Sequence, residues 1–311
     1  MKRLALLSAI VALVAVAASA LAASVLRHDA AQQSPAAARL VAPASDRAAE
    51  LASRTGIAAP YWLIDPRTAK PVRLDQPLTT PSPLFPGDPP FRWRVFTTVP
   101  KSGYLLEQIT SLGTHTGTHI SAPCHFHAGA PCLAQLPVRF FTPRPLVVLN
   151  VQARIERTGG DFFLGVPDLK RFERAHGRIP PGSYVVVFTG LSRFYHLGNS
   201  RRPGALDDYF DNVPGFSGAA VDWLFQRRHI LGVGADTFGP DATFDPSFEA
   251  TTQATAHGGI TLENLGPGLA AMRPFGDWIE INGPRYATAP GQHRPGFSGA
   301  QMGIAGFTAW R

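Results

Sequence analysis

His115-Thr-Gly-Thr-His119-Ile-Ser121-Ala-Pro-Cys124-His125-Phe-His127 holds four of the ten histidines of this 311-residue chain and one of its two cysteines. Histidine is the commonest metal ligand and the commonest general base near neutral pH. A solvated loop has no reason to collect four. Gly117 and Pro123 make the stretch bent rather than regular. His115 and His119 are four residues apart and would share a face of a helix, but the Thr-Gly-Thr between them disfavours one. On a straight strand they would share a face about 13 Å apart. Joint action therefore needs a bend, which Gly117 supplies, and Pro123 then turns His125 back toward the same spot.

Outward from this cluster, Pro145–Val151, Tyr184–Phe188 and Ile230–Ala235 are apolar runs of strand length. Between them, Phe162–His176 has helical spacing up to Gly177, and Phe216–Phe225 carries Ser217 as an N-cap candidate. Phe91–Phe96, Leu105–Leu112, Trp278–Ile281 and Gly303–Trp310 read as further strands. Together these are the parts of a mixed α/β fold. Leu191–Gly215 reads as a lid or rim, and Asp241–Gly259 as loop. Asp236 at the end of the third apolar run is either a second-shell or catalytic carboxylate or a cap for the next turn. Phe91 and Trp93, beyond the turn Pro86-Gly-Asp-Pro89, either wall an aromatic substrate pocket or belong to the core.

The net charge of +7 comes from scattered arginines and only four lysines, with no basic run interleaved with aromatics, so a nucleic-acid partner is not expected. Lys2 and Arg3 precede an apolar run, and Ala18-Ser-Ala20 and Ala20-Leu-Ala22 fit a small-x-small cleavage pattern. Residues 1–23 therefore read as a signal peptide, 24–54 as a flexible linker and 55–311 as the functional domain. The expectation is a secreted, periplasmic or cell-envelope protein, in contact with a membrane only if the leader stays uncleaved. Cys124 and Cys132 then have three open readings: a disulfide, a soft metal ligand at Cys124, or two buried thiols.

The cluster resembles the signature H-x-G-T-H-x-D-x-P-x-H-F of the cyclase-like metal-dependent hydrolase family, which includes kynurenine formamidases, isatin hydrolases and lactone hydrolases. Pro86-Gly87-Asp88-Pro89, Thr189-Gly190, Gly234-Ala-Asp236-Thr237 and Leu262-Glu263-Asn264-Leu265 resemble the family's flanking motifs, in the same order. The resemblance implies a swivelling β/β/α-type domain, with a central β-barrel-like sheet flanked by helices. It implies that His115 and His119 are metal ligands, that His125 is the catalytic histidine, and that Glu263 is the late glutamate beside the metals, orienting His125 or water.

Two positions depart from the family pattern. Ser121 stands where the family has a ligating Asp, and Thr251 where it has a late His. The expectation is therefore one Zn or Mn ion rather than two, or none, with Ser121, Cys124 or His257 as candidate extra ligands. The activity implied is cleavage of a formamide, cyclic amide or lactone, on a small aromatic or cyclic substrate of the kynurenine type in tryptophan catabolism, by a homodimer or larger homo-oligomer. The alternative is a non-catalytic, metal-free small-molecule-binding protein on the same scaffold.

Overall fold

The computed structural model describes residues 68–197, 212–289 and 296–309, all within Thr55–Arg311, the second of the two units into which the chain divides. The signal peptide and linker expected for residues 1–54 lie outside the described residues. Among the described residues no helix is long and apolar enough to cross a membrane.

Thirteen strands follow in chain order: β1 (Lys70–Arg73), β2 (Arg92–Thr97), β3 (Leu106–Ser111), β4 (His119–Ser121), β5 (Arg144–Asn150), β6 (Phe163–Leu164), β7 (Tyr184–Phe188), β8 (Gly215–Phe216), β9 (Gly232–Ala235), β10 (Ile260–Glu263), β11 (Asp277–Asn282), β12 (Gly299–Gln301) and β13 (Gly303–Thr308). Among the described residues four α-helices longer than one turn accompany them: α1 (Gln152–Thr158), α2 (Val166–His176), α3 (Gly218–Arg228) and α4 (Glu249–Ala256). Nine strands form one sheet in the order β1-β13-β11-β5-β7-β9-β10-β4-β12, parallel from β5 through β10 and antiparallel on both flanks.

Only Met302 separates β12 from β13, yet the two lie at opposite ends of that order. Seven strand spacings amount to about 34 Å on a flat sheet, whereas two peptide steps reach about 7 Å. The sheet must therefore curl into a half-barrel to bring its two ends together. Residues of the parallel strands alternate between its faces. Leu146, Val148, Tyr184, Val186 and Phe188 pack inside the curl with Ile120, Leu262 and Ile279. Val147, Leu149, Val185, Val187 and Val233 pack outward against Leu169 of α2, Leu224 of α3 and Ala254 of α4. The expected mixed α/β fold, a curled sheet flanked by helices, is what forms.

The helices begin where local chemistry satisfies their free N–H groups. Ser217 Oγ accepts from the Ala220 amide and caps α3, as its sequence position suggests. Helix α2 starts at Val166 rather than Phe162, because Phe163–Leu164 pairs with β8. The expectation of loop over Asp241–Gly259 misses α4. Its sequence, EATTQATA, sets three threonines among strong helix formers and is only eight residues long. The helix exists because two loop carboxylates serve its first turn: Asp241 Oδ1 accepts from the Ala250 and Thr251 amides at 2.7 and 3.1 Å, and Asp245 Oδ2 from Glu249 at 2.9 Å.

Strands β2 and β3 pair only with each other, forming an arm between the loop of Asp88 and the cluster at His115. Seven of the arm's large apolar side chains are exposed by half or nearly half, from Val95 at 49% to Ile109 at 62%, with Leu106 at 41%.

Candidate active site

Strand β4 is buried between β10 and β12, and its register places the site. His119 lies opposite Glu263, and Ser121 opposite Thr261. Alternation along a strand puts residues i and i+2 on one face, so all four side chains point the same way. Gly117 has φ +75°, the left-handed bend that the spacing of His115 and His119 requires. Its carbonyl accepts from His119 Nδ1 at 2.8 Å and from Asn264 Nδ2 at 3.1 Å. A Cβ on Gly299 would stand 2.6 Å from His115 Cε1, so glycine there leaves room for the imidazole.

A single turn of 3-10 helix, Pro123–His125, returns His125 so that its ring stacks on His115 with centroids 4.0 Å apart. The Cys124–Cys132 disulfide closes the loop behind it. Of the three readings for the cysteines the disulfide is the one formed, and it removes Cys124 as a ligand.

The hydrogen bonds form one directed network. Ser121 Oγ has a single proton, and Glu263 Oε1, 2.9 Å away, can only accept. His115 Nδ1, 3.2 Å from the same hydroxyl, must therefore be the donor, and its Nε2 accepts from Ser298 Oγ at 2.9 Å. Thr261 Oγ1 donates a second proton to Glu263 Oε1 at 2.6 Å. Glu263 Oε2 stands 3.2 Å from His119 Nε2 as an ion-pair contact outside hydrogen-bond alignment.

Burial alone would raise the Glu263 pKa, but the adjacent His119 and the hydrogen bond from Thr261 outweigh it and bring it down to about 2. Burial lowers His119, and its Glu263 and Gly117 contacts outweigh that and raise it. Burial, then the neighbouring His119 and His125, pushes His115 down to about 3. Burial likewise lowers His125. The site therefore sets a lowered carboxyl, Glu263, against a raised imidazole, His119, beside two imidazoles that burial lowers.

These groups open on a cavity of about 550 Å³. His115, His119, His125, Glu263 and Asp88 line one part of it; Phe85, Phe126, Phe238 and Phe248 line another. The phenylalanines meet edge to face, with Phe85 6.0 Å from Phe238 and 6.2 Å from Phe248. Asp88, Asp241 and Asp245 add carboxylates, and no lysine or arginine lines the cavity among the described residues. Burial raises Asp88, and its Oδ2 has no hydrogen-bond partner. Burial also pushes Asp241 up to about 6, against the hydroxyl and amide of Thr251 that hold it.

Several expected site residues lie elsewhere. Phe91 and Trp93 do not line the cavity; Trp93 is on the arm, 51% exposed, because its strand has no partner beyond β3. His257 ends α4, pairs with Asp222 at 2.8 Å and stacks on Phe225, so it is no ligand of the cluster. Asp236 is fully buried, but it accepts from Thr189, Gly190 and Ser192 and braces the turn after β7 rather than any imidazole. The aromatic wall was missed because its four phenylalanines come from three separate stretches of chain, with Phe238 and Phe248 in the connection between β9 and α4. The Pro-Gly-Asp segment did mark Asp88.

The donor set can be tested against a metal. Among the described residues no three His, Cys, Asp or Glu side chains form a group able to hold an ion. Both nitrogens of His115 face hydroxyls, Glu263 Oε1 accepts two protons, and Thr251 Oγ1 is bonded to Asp241. The buried site atoms left without a hydrogen bond are His119 Nε2 and Asp88 Oδ2. The His125 ring is free as well, but no group of three such side chains supplies the three protein ligands usual for a catalytic zinc among the described residues. The residues present do not fit a resident metal.

Comparison with known proteins gives a consistent picture. The model of the Cyclase family matches residues 57–242. A kynurenine formamidase of Bacillus anthracis is 30% identical over 199 residues, covering 64% of this chain and 83% of that protein. The isatin hydrolase A of Labrenzia aggregata, solved with benzyl benzoate bound, shares the fold with a TM-score of 0.64 at 22% identity, over 84% of this chain and 99% of that one. A protein of Bacillus stearothermophilus described as a metal-dependent hydrolase aligns with a TM-score of 0.51 at 18% identity, over 76% of this chain and 98% of its own.

Proposed function

Because the chain belongs to the cyclase family, we propose that it is a hydrolase of formamide, cyclic amide or lactone bonds. The observation that carries this reading is the convergence of His125, His115, His119 and Glu263 on one cavity with an aromatic wall. The kynurenine formamidase and isatin hydrolase relatives support the reaction class.

His125 is the general base. Among the described residues its ring makes no hydrogen bond, and its neighbours are the His115 and Phe126 rings. Its lowered pKa keeps it neutral near pH 7. A water gives a proton to the free ring nitrogen as its oxygen bonds to the carbonyl carbon and the C=O electron pair moves to oxygen. When the C=O re-forms, the C–N or C–O bond breaks and the imidazolium returns the proton to the leaving atom. Glu263 stays ionised throughout, holding His119 and, through Ser121, the His115 ring.

The substrate is aromatic and uncharged. Four phenylalanines supply apolar contact, while Asp88, Asp241 and Asp245, with no lysine or arginine among the described lining residues, oppose an anion. Purified protein should cleave isatin or N-formylaniline faster than N-formylanthranilate, whose carboxylate the cavity repels. No turnover of any formamide, cyclic amide or lactone would instead favour a binding protein on this scaffold.

We assign the chain to an exported location, supported by its leader-like first residues and by the Cys124–Cys132 disulfide. Amino-terminal sequencing of the mature protein should begin beyond Ala20; recovery of intact Met1 in the cytosolic fraction would overturn it.

We also assign the arm to self-association. A lone two-stranded hairpin is marginal in water. Trp93, Phe96, Val99, Tyr104, Leu105 and Ile109 stand exposed on it. At roughly 100 Å² for each half-exposed large side chain, these six offer about 600 Å², three quarters of the roughly 800 Å² per partner of a stable interface. The occupant is a second copy of this chain, homo-oligomers with two-fold symmetry being the commonest assemblies. Light scattering should give a dimer mass that Trp93→Glu with Ile109→Glu reduces to a monomer; a monomeric wild type at micromolar concentration would refute the assignment.

A further inference from the structure

We infer that this chain works without a resident divalent ion, a hydroxyl-stitched ion pair standing where metal-dependent relatives hold one. The inference rests on the hydrolytic reading of the cavity and deepens it. A carboxylate at position 121 would offer a hard anionic ligand. Ser121 is neutral, fully buried, and spends its one proton on Glu263. In doing so it wires His115 to Glu263 and leaves neither nitrogen of His115 free, since Ser298 occupies the other.

Thr251 makes the corresponding change on the other side of the cavity. Its hydroxyl and amide both go to Asp241, so this corner is closed by a helix-capping contact instead of an imidazole. Cys124, the soft donor nearest to His125 in sequence, is locked to Cys132.

The test is elemental analysis of the full chain, incubated with Zn²⁺ or with Mn²⁺ and desalted, in parallel with thermal melts and turnover of N-formylaniline with and without chelator. The expected result is far less than one retained ion per chain and no change of melting temperature or rate on chelation. Ser121→Asp combined with Thr251→His should retain at least one ion per chain. One tightly retained ion in the wild type, with a fall in melting temperature when it is removed, overturns the inference whether or not the protein turns over. A metal-free wild type that cleaves no formamide, cyclic amide or lactone leaves this inference standing and removes the hydrolase reading. The wild-type measurement decides by itself if the double variant fails to fold.

Discussion

Replacing His125 with alanine should lower turnover by about 10²- to 10⁴-fold, the usual contribution of a positioned general base, and change stability by less than about 1 kcal/mol. The asymmetry follows from its surroundings. The side chain makes no hydrogen bond among the described residues, and the turn that carries it is held by backbone contacts and the adjacent disulfide. The pH profile separates a base from a merely structural ring. Burial lowers the His125 pKa below its ordinary 6.5. The neutral, active form therefore persists below pH 6.5, and kcat/KM should fall only as pH drops through the lowered value. In the alanine variant that acid limb should disappear from the residual activity. Full activity in His125→Ala, measured by product formation from the best substrate, would remove the mechanism.

Glu263→Gln should destabilise the fold by about 3 to 5 kcal/mol at pH 7, the range for removing one partner of a buried ion pair. His119 would lose its counter-charge, and Ser121 and Thr261 would face an amide in place of a carboxylate. The sign of the pH dependence follows from linkage. The folded pKa of Glu263, about 2, lies below its ordinary 4.5. Its ionised form therefore contributes stability in full above pH 4.5, and that contribution is lost as pH falls from 4.5 toward 2. Urea unfolding should show the difference between wild type and variant large at pH 7 and shrinking through that window. A difference that stays constant down to pH 3 would show that packing, rather than charge, holds the pair.

Much of the site was legible because it is local. Three of the four histidines, the bend at Gly117 and the turn at Pro123 form the site within thirteen residues, whereas His127 bonds the Thr252 carbonyl and does not line the cavity. Glu263 was legible only through the family motif, since nothing in its own neighbourhood marks it. Three misplacements share one cause. Trp93, His257 and Asp236 are chemically suitable residues close in sequence to motifs, yet each found a partner elsewhere: an arm, a surface carboxylate, a strand-end turn. Helix α4 was hidden for a related reason, since it is short and its stabilising caps, Asp241 and Asp245, precede it in a loop.

By itself the sequence determined the apolar runs of strand length and the bend in the histidine cluster, while the family resemblance marked Ser121 and Thr251 as departures. These are properties of residue type and short-range spacing, which survive in any arrangement of the chain. The tertiary structure decided the rest: that the sheet curls, that Glu263 lies opposite His119, that Ser121 bridges His115 to Glu263, and that four phenylalanines from distant loops form one wall. Each of these depends on strand register and loop closure, where a shift of one residue turns every side chain to the opposite face.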